Sequence, residues 1–124
     1  MSSLAMKAYL SLIQFDTYLV RRNFSGLYNT VRSCPVTKRS LQQNAIERAC
    51  SATDMACLWY WKEVLCLQRS ATTACLLRRL GIEGKMVIGV QQIPFKAHAW
   101  VEVDGRVVND KPYMREVYAV LDVC

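Results

Sequence analysis

The sequence predicts an α+β fold in which helices come first and a small antiparallel sheet follows. Apolar residues recur at helical spacing over roughly the first two-thirds of the chain. From Lys85 the pattern changes to the alternation that is typical of strands, and Asp104-Gly105 is a hairpin signal. A chain of 124 residues suits one domain. We expect it to comprise a helical part at about 1–60 and a second part at about 61–124.

Two helices are predicted before the first proline. Residues from Leu4 to about Arg22 place apolar side chains on one helical face. A shorter helix is predicted from Asn23 to Arg32, because Ser33-Cys34-Pro35 follows as a stop signal.

Two further helices are predicted between residues 40 and 80. Ser40 and Gln43 form a capping box, which predicts a helix start and a helix that runs to about Trp61. The next helix is predicted over 66–80, with Arg78 and Arg79 facing its C-terminal dipole and Gly81 as its stop. No turn signal separates the two helices, so the break is placed within 62–65.

The strands are predicted after residue 85. Residues 86–90 are typical of a buried strand, and 98–103 alternate. Asp104-Gly105 leads into a partner strand at 106–109. The tail from Tyr113 to Cys124 fits either a short helix or a final strand.

Two registers are possible for this hairpin. A two-residue turn at Asp104-Gly105 pairs Glu102 with Val107 and turns His98 and Asp110 to opposite faces. A three-residue loop with a bulge at Gly105 pairs Glu102 with Arg106 and places His98 opposite Asp110. Since opposite charges and paired valines each contribute roughly 0.2–1 kcal/mol, we predict the second register. The single histidine would then lie beside a carboxylate, either as a structural pair or as a catalytic one.

Composition excludes several classes of protein. Apolar residues make up 52% of the chain, which is too many for a disordered protein. Charged and polar residues interrupt the most apolar stretch, at 4–20, whereas a membrane span needs about 20 apolar residues. There is no secretory signal at the N-terminus, so we predict a cytoplasmic protein without a membrane span. Its six cysteines are then reduced, and their wide spacing argues against zinc.

If His98 acts as a base, a cysteine is a candidate for the nucleophile that uses it. At the first turn of a helix, a thiolate is stabilised by the helix dipole and by free N–H groups. Cys66 satisfies this condition if a helix begins there, whereas Cys75 in the middle of that helix is more typical of core packing. Composition and spacing alone leave the choice between them open.

Several motifs resemble, in order and at compatible spacing, the transglutaminase-like core of lasso-peptide maturation proteases. They are Cys66–Ser70, Leu76–Ile82, Val87–Val90, Pro94–Gly105 and Val107–Asp110. The resemblance covers roughly residues 60–112. It implies a papain-like arrangement in which the second part of the chain is the catalytic core, with no cofactor and no metal.

The resemblance also implies residue roles and partners. Cys66 would be the nucleophile, His98 the base and Asp110 the residue that orients His98. The substrate would be the leader region of a ribosomally made precursor peptide, and an ATP-dependent lasso cyclase would act on the released core. Because no β-rich module precedes the core, we expect the split form, which uses a separate leader-recognition protein. Trp59, Trp61 and Trp100 are predicted to line the substrate groove.

Three rival functions remain open at this point. The first is a transglutaminase-like or arylamine-type thiol acyltransferase that uses the same triad. The second is a nucleic-acid-binding module, suggested by the net charge of +6, although the basic pairs are scattered and we expect no nucleic-acid partner. The third is a catalytically inactive peptide-binding domain.

Overall fold

The computed structural model describes residues 2–37 and 44–124, and it has the predicted α+β architecture. The helices are α1 (Ser3–Val20), α2 (Phe24–Ser33), α3 (Ala45–Trp59), α4 (Cys66–Arg79) and the short α5 (Met114–Val117). The strands are β1 (Lys85–Gln91), β2 (Lys96–Val103), β3 (Arg106–Val107) and β4 (Ala119–Val123). The predicted capping box at Ser40 and Gln43 lies outside the described residues.

Helix α4 lies at the centre of the molecule. It packs against α1 and α3 on one side and against β2 on the other. Small and aliphatic side chains let the neighbouring elements approach it closely, and most of α4 is buried for that reason. The core side chains of α4 are Ala71, Ala74, Cys75, Leu76 and Leu77.

The sheet is antiparallel, with the strand order β3-β2-β1-β4. Strand β1 lies between β2 and β4, and its pairing with β4 shifts register between Ile88 and Gly89. The tail, which the sequence left undecided, contains both candidate elements, because α5 is followed directly by β4. None of the helices within the described ranges is long and apolar enough to cross a membrane.

The predicted hairpin register is wrong. The structure pairs Glu102 with Val107 and Val103 with Arg106, which is the register of a two-residue turn. Asp104 and Gly105 both have positive φ, of 52° and 77°. Positive φ at both central positions is the condition for a type I′ turn, whose twist matches that of the flanking strands. This turn geometry outweighs the charge pair that favoured the other register.

Candidate active site

The start of α4 is fixed against α1 by a small polar cluster. Helix α3 ends at Trp59, two residues earlier than predicted, and an irregular connection over 60–65 leads to α4. Within it, the Tyr60 hydroxyl donates to Asp16 over 2.8 Å, and Lys62 Nζ lies 2.8 Å from the other oxygen of the same carboxylate. The buried Gln68 amide donates to the Leu12 carbonyl over 2.7 Å. These contacts determine where the first turn of α4 lies.

The hydrogen bonds of this cluster shift the pKa values of Asp16 and Tyr60 in opposite directions. Burial raises the pKa of Asp16, but the hydrogen bonds from Lys62 and Tyr60 outweigh it, and the pKa lies below its usual value. Burial, together with the bond to Asp16, raises the pKa of Tyr60 to about 12. The cluster is therefore an ionised carboxylate held by an ammonium group and a neutral phenol.

Cys66 is the first residue of α4 and is partly buried. The residue before it, Leu65, occupies the N-cap position and has no side-chain group that could accept a hydrogen bond. The N–H groups of a helix's first turn have no partner within the helix and carry a partial positive charge. The thiol thus lies at a helix terminus that no side chain of the described residues caps.

His98 and Asp110 are in direct contact. His98 Nε2 lies 2.6 Å from Asp110 Oδ2, and each side chain is 26% exposed. Burial raises the pKa of Asp110, but the hydrogen bonds from His98 and from the Lys111 N–H outweigh it and hold the pKa below its ordinary value. The ionised carboxylate engages one ring nitrogen, so Nδ1 is the nitrogen available to a thiol.

This contact forms although the register that predicted it is wrong. Strand β3 ends at Val107, so Asp110 lies beyond the regular ladder and its side-chain direction is not set by strand alternation. The Val108 N–H still bonds to the Val101 carbonyl over 2.9 Å. In the return direction, the Asn109 side chain accepts from the Val101 N–H over 2.7 Å. The chain has left the sheet by Asp110, which brings its carboxylate to His98.

The helix that carries Cys66 contacts the strand that carries His98. Ser70 lies one turn after Cys66, and its hydroxyl donates to the Ala99 carbonyl over 3.0 Å. Residues four apart share a helix face. Cys66 therefore shares the face of α4 that contacts β2 at Ala99, the residue after His98. The structure thus brings the segments of the three predicted catalytic residues together, and their catalytic roles stay a prediction.

Two aromatic rings border the His98 imidazole, and neither was predicted to do so. The ring centroids lie 5.4 Å from His98 for Tyr118 and 6.2 Å for Trp100. Opposite His98 on β1 is Gly89, where an added Cβ would lie 2.7 Å from both Trp100 Cη2 and Tyr118 Cβ. The absence of a side chain at Gly89 is what allows these rings to close around the site.

Trp100 is held in turn by an ion pair. Its indole N–H donates to Glu102 Oε2 over 2.8 Å, and Arg115 donates to both oxygens of the same carboxylate over 2.8 and 2.9 Å. The Arg115 hydrogen bond lowers the pKa of the buried Glu102 despite the opposing effect of burial. Strand alternation places His98, Trp100 and Glu102 on one face of β2. Arg115 lies in the tail, and no local sequence pattern predicted that it would pair with Glu102.

The prediction that three tryptophans line a groove is wrong for one of them. Trp100 is fully buried, because it packs in a core cluster with Val87 and Met114. Trp59 and Trp61 are 64% and 73% exposed, so they are available to a ligand, and their role stays a prediction. Tyr60, between them, is the one that packs inward. Trp61 and Tyr60 line one side of a cleft of about 320 Å³ over α1.

Cys75, the alternative nucleophile, is unsuited to the role. It is buried in the middle of α4, and both its hydrogen bond with Cys34 and burial raise its pKa. A protonated, enclosed thiol is a poor nucleophile. The same bond lowers the pKa of Cys34 to about 7, but Cys34 lies at the C-terminal end of α2.

Comparisons with known proteins identify the family. The chain is 43% identical over 56 residues to the microcin J25-processing protein McjB of Escherichia coli. That stretch covers 45% of this chain but only 27% of McjB. No solved structure matches the chain at a significant level. A family model described as "Transglutaminase-like superfamily" matches residues 9–123 and so includes the helices as well as the sheet. The chain belongs to the transglutaminase-like superfamily.

Proposed function

We propose that the protein is a cysteine endopeptidase that removes the leader from a ribosomally synthesised lasso-peptide precursor. The observation that carries the proposal is the contact between His98 Nε2 and Asp110 Oδ2, which lie 2.6 Å apart, with His98 on a strand that contacts the helix beginning at Cys66. Similarity to a microcin-processing protein supports the substrate class. The superfamily supports chemistry at a cysteine.

In the first half-reaction, the Cys66 sulfur attacks the carbonyl carbon at the leader–core junction. A C–S bond forms and the carbonyl oxygen becomes an oxyanion, which the N–H groups of the first turn of α4 stabilise. His98 takes up the thiol proton and delivers it to the nitrogen of the breaking C–N bond. The core peptide leaves as a free amine, and the leader stays on Cys66 as a thioester.

In the second half-reaction, water releases the leader. His98 removes a proton from the water while its oxygen attacks the thioester carbon, and the C–S bond then breaks. The proton returns to sulfur, so one water is consumed per peptide bond. Asp110 holds the ring by Nε2 throughout and stabilises the imidazolium form.

The same proposal includes partners. The leader would be presented by a separate recognition protein, and an ATP-dependent cyclase would use the new N-terminal amine. Exposed Trp59 is the last residue of α3, and exposed Trp61 lies in the connection to Cys66, where both would contact the peptide. The net charge of +6 favours an acidic leader or partner surface. We place this reaction in the cytoplasm, where precursors are synthesised.

The superfamily also supports a second candidate, acyl transfer to an amine. The first half-reaction is identical, and only the acceptor of the thioester differs. A leader recovered as an amide when a primary amine is present, with no free acid, would favour the acyltransferase.

The direct test is cleavage of a synthetic leader–core peptide, with and without a leader-recognition protein. Mass spectrometry would follow the leader acid and the free core for the wild type, Cys66→Ala and His98→Ala. We expect both products from the wild type and neither variant to release them at a measurable rate. Cys57→Ala is the matched control, because Cys57 is a partly buried cysteine in α3.

Two results would contradict the proposal. Cleavage by Cys66→Ala at the wild-type rate would remove Cys66 as the nucleophile. Tight binding of the precursor by a wild-type protein that never cleaves it, even with the recognition protein, would indicate an inactive peptide-binding domain.

A further inference from the structure

Ser70 forms an unusual contact for a serine within a helix. Such hydroxyls commonly bond back to the carbonyl four residues earlier in their own helix, as Thr53 does to Ala49 and Thr73 to Arg69. Ser70 instead donates across to the Ala99 carbonyl on β2 and is only 1% exposed. Its hydrogen bond therefore joins two elements and does not serve the helix itself.

Asn109 extends the same link to a third segment. Its amide nitrogen donates to the Ser70 hydroxyl over 3.2 Å, and its amide oxygen accepts from the Val101 N–H over 2.7 Å. The side chain thus substitutes for a main-chain partner at the point where the chain leaves β3. Hydrogen bonds of Ser70 and Asn109 therefore connect α4, β2 and the segment after β3.

Three residues of this hydrogen-bond network lie close in sequence to a residue of the proposed triad. Ser70 is one helical turn after Cys66, Ala99 follows His98, and Asn109 precedes Asp110. A shift of any one segment relative to the others breaks at least one of the three bonds. Misplacement of reacting groups by about 1 Å costs about 100-fold in rate.

We propose that Ser70 and Asn109 are positioning residues that hold the Cys66 helix, the His98 strand and the Asp110 segment in reactive register. The inference rests on the proposed function, since it assumes that Cys66 and His98 act together. It assigns neither residue a contact with substrate. Their effect is on the geometry between the thiol and the imidazole.

The test compares Ser70→Ala and Asn109→Ala with the wild type in two assays. The first is the pH dependence of Cys66 alkylation by iodoacetamide, resolved from the other five cysteines by peptide mapping. The second is peptide cleavage. We expect the midpoint of the alkylation curve to rise by about 1 pH unit and kcat to fall about 10- to 100-fold. KM should stay within about threefold, because the peptide groove is untouched.

Matched controls separate positioning from general destabilisation. Ser33→Ala and Asn29→Ala remove the same atoms from α2, where the Ser33 hydroxyl donates back to the Asn29 carbonyl of its own helix. We expect both to keep the wild-type alkylation curve. Thermal melting verifies that each variant is folded. Because Ser70 and Asn109 are hydrogen-bonded to each other, either variant breaks that bond, and one folded variant is sufficient for the test.

His98→Ala distinguishes failure of this inference from failure of the proposed function. If His98→Ala leaves the alkylation curve unchanged, Cys66 and His98 do not act together and the proposed function fails. If His98→Ala shifts the curve but neither positioning variant does, the triad stands and the positioning inference is overturned.

Discussion

Helix α4 is anchored at its C-terminal end and left open at its N-terminal end. At the C-terminal end, Gly81 adopts a φ of 86°, and the Ile82 N–H closes the helix on the Leu77 carbonyl over 2.9 Å. At the N-terminal end, Leu65 offers no side-chain cap and Cys66 follows directly. The difference suggests that one end supplies stability and the other supplies reactive groups.

The anchored end depends on a buried arginine. Arg78 is 6% exposed and donates to the main-chain oxygens of Gly84 over 2.9 Å and of Cys124 over 3.0 Å. It also donates to the Val31 carbonyl at the end of α2. The sequence predicted that Arg78 faces the dipole of its own helix. In the structure it instead joins α2, the connection before β1 and the end of β4.

The largest effect is expected from replacing the two cysteines of α4, one at its start and one in its buried part. Cys66→Ala should lower kcat at least about 10³-fold, because in the proposed reaction the Cys66 sulfur forms the thioester. It should change the free energy of unfolding by less than about 1 kcal/mol, because Cys66 is only partly buried. Peptide cleavage and urea denaturation measure the two quantities. Cys75→Ala in the same helix should show the reverse, with activity kept and some stability lost; equal effects from both would contradict the contrast.

The next largest effect is expected at the anchored end. Arg78→Met should reduce the free energy of unfolding by about 2–4 kcal/mol, because it removes the hydrogen bonds that the buried guanidinium donates to main-chain oxygens of three separate segments. Arg79→Met is the matched control, since Arg79 is the exposed neighbour, and it should change stability by less than about 0.5 kcal/mol. Urea denaturation of both variants checks this, and equal losses would remove Arg78 as the anchor.

Adding a side-chain cap at the N-terminal end of α4 should increase stability and reduce activity. Leu65 already has the extended backbone of an N-cap, with φ −78° and ψ 154°, and is 55% exposed. Leu65→Ser should therefore raise the free energy of unfolding by about 0.5–1 kcal/mol. It should also lower kcat about tenfold, because the hydroxyl competes with the oxyanion for the first-turn N–H groups.

The control for this exchange is Leu121→Ser, which replaces a leucine of similar exposure on β4. Thermal melts and cleavage rates are compared for both variants. A Leu65→Ser variant that is more stable and equally active would show that the first-turn N–H groups do not serve the reaction.

The smallest expected effect is a pH dependence of stability from Asp110. Its pKa is lower in the folded protein than the usual 3.8, so its contribution is present above about pH 4 and is lost as pH falls through the folded value. The difference in unfolding free energy between the wild type and Asp110→Asn should therefore be largest near neutral pH and shrink toward pH 2.5. Urea denaturation at several pH values measures it. Asp104→Asn, in the exposed turn, is the control, and a constant difference for Asp110→Asn would contradict the contribution of the Asp110 carboxylate.

Much of the fold could be predicted from local sequence patterns. Hydrophobic periodicity identified the helices and strands, and Gly81 identified the end of α4. The start of that helix at position 66 was predicted from the argument for a nucleophile there and not from a turn signal, and the structure confirms it. Such features depend on nearby residues, so the sequence carries them directly.

The details of the site depend on contacts between distant residues. The hairpin register was wrong because weak pair energies were weighed without the backbone preference of Asp104-Gly105. Asp110 nevertheless reaches His98 because β3 is only two residues long. Arg78, Arg115 and the link from Ser70 to Asn109 join segments far apart in sequence, where no periodicity signals a partner.

The most direct measurement of the central claim is the site of covalent trapping by a substrate-like electrophile. A leader peptide that ends in a chloromethyl ketone in place of the scissile bond would be incubated with the protein and a leader-recognition protein. The thiolate displaces chloride and forms a stable thioether, and peptide mapping then identifies the modified cysteine. The account predicts one adduct on Cys66, formed far more slowly by His98→Ala. An adduct on another cysteine, or equal trapping without His98, would contradict it.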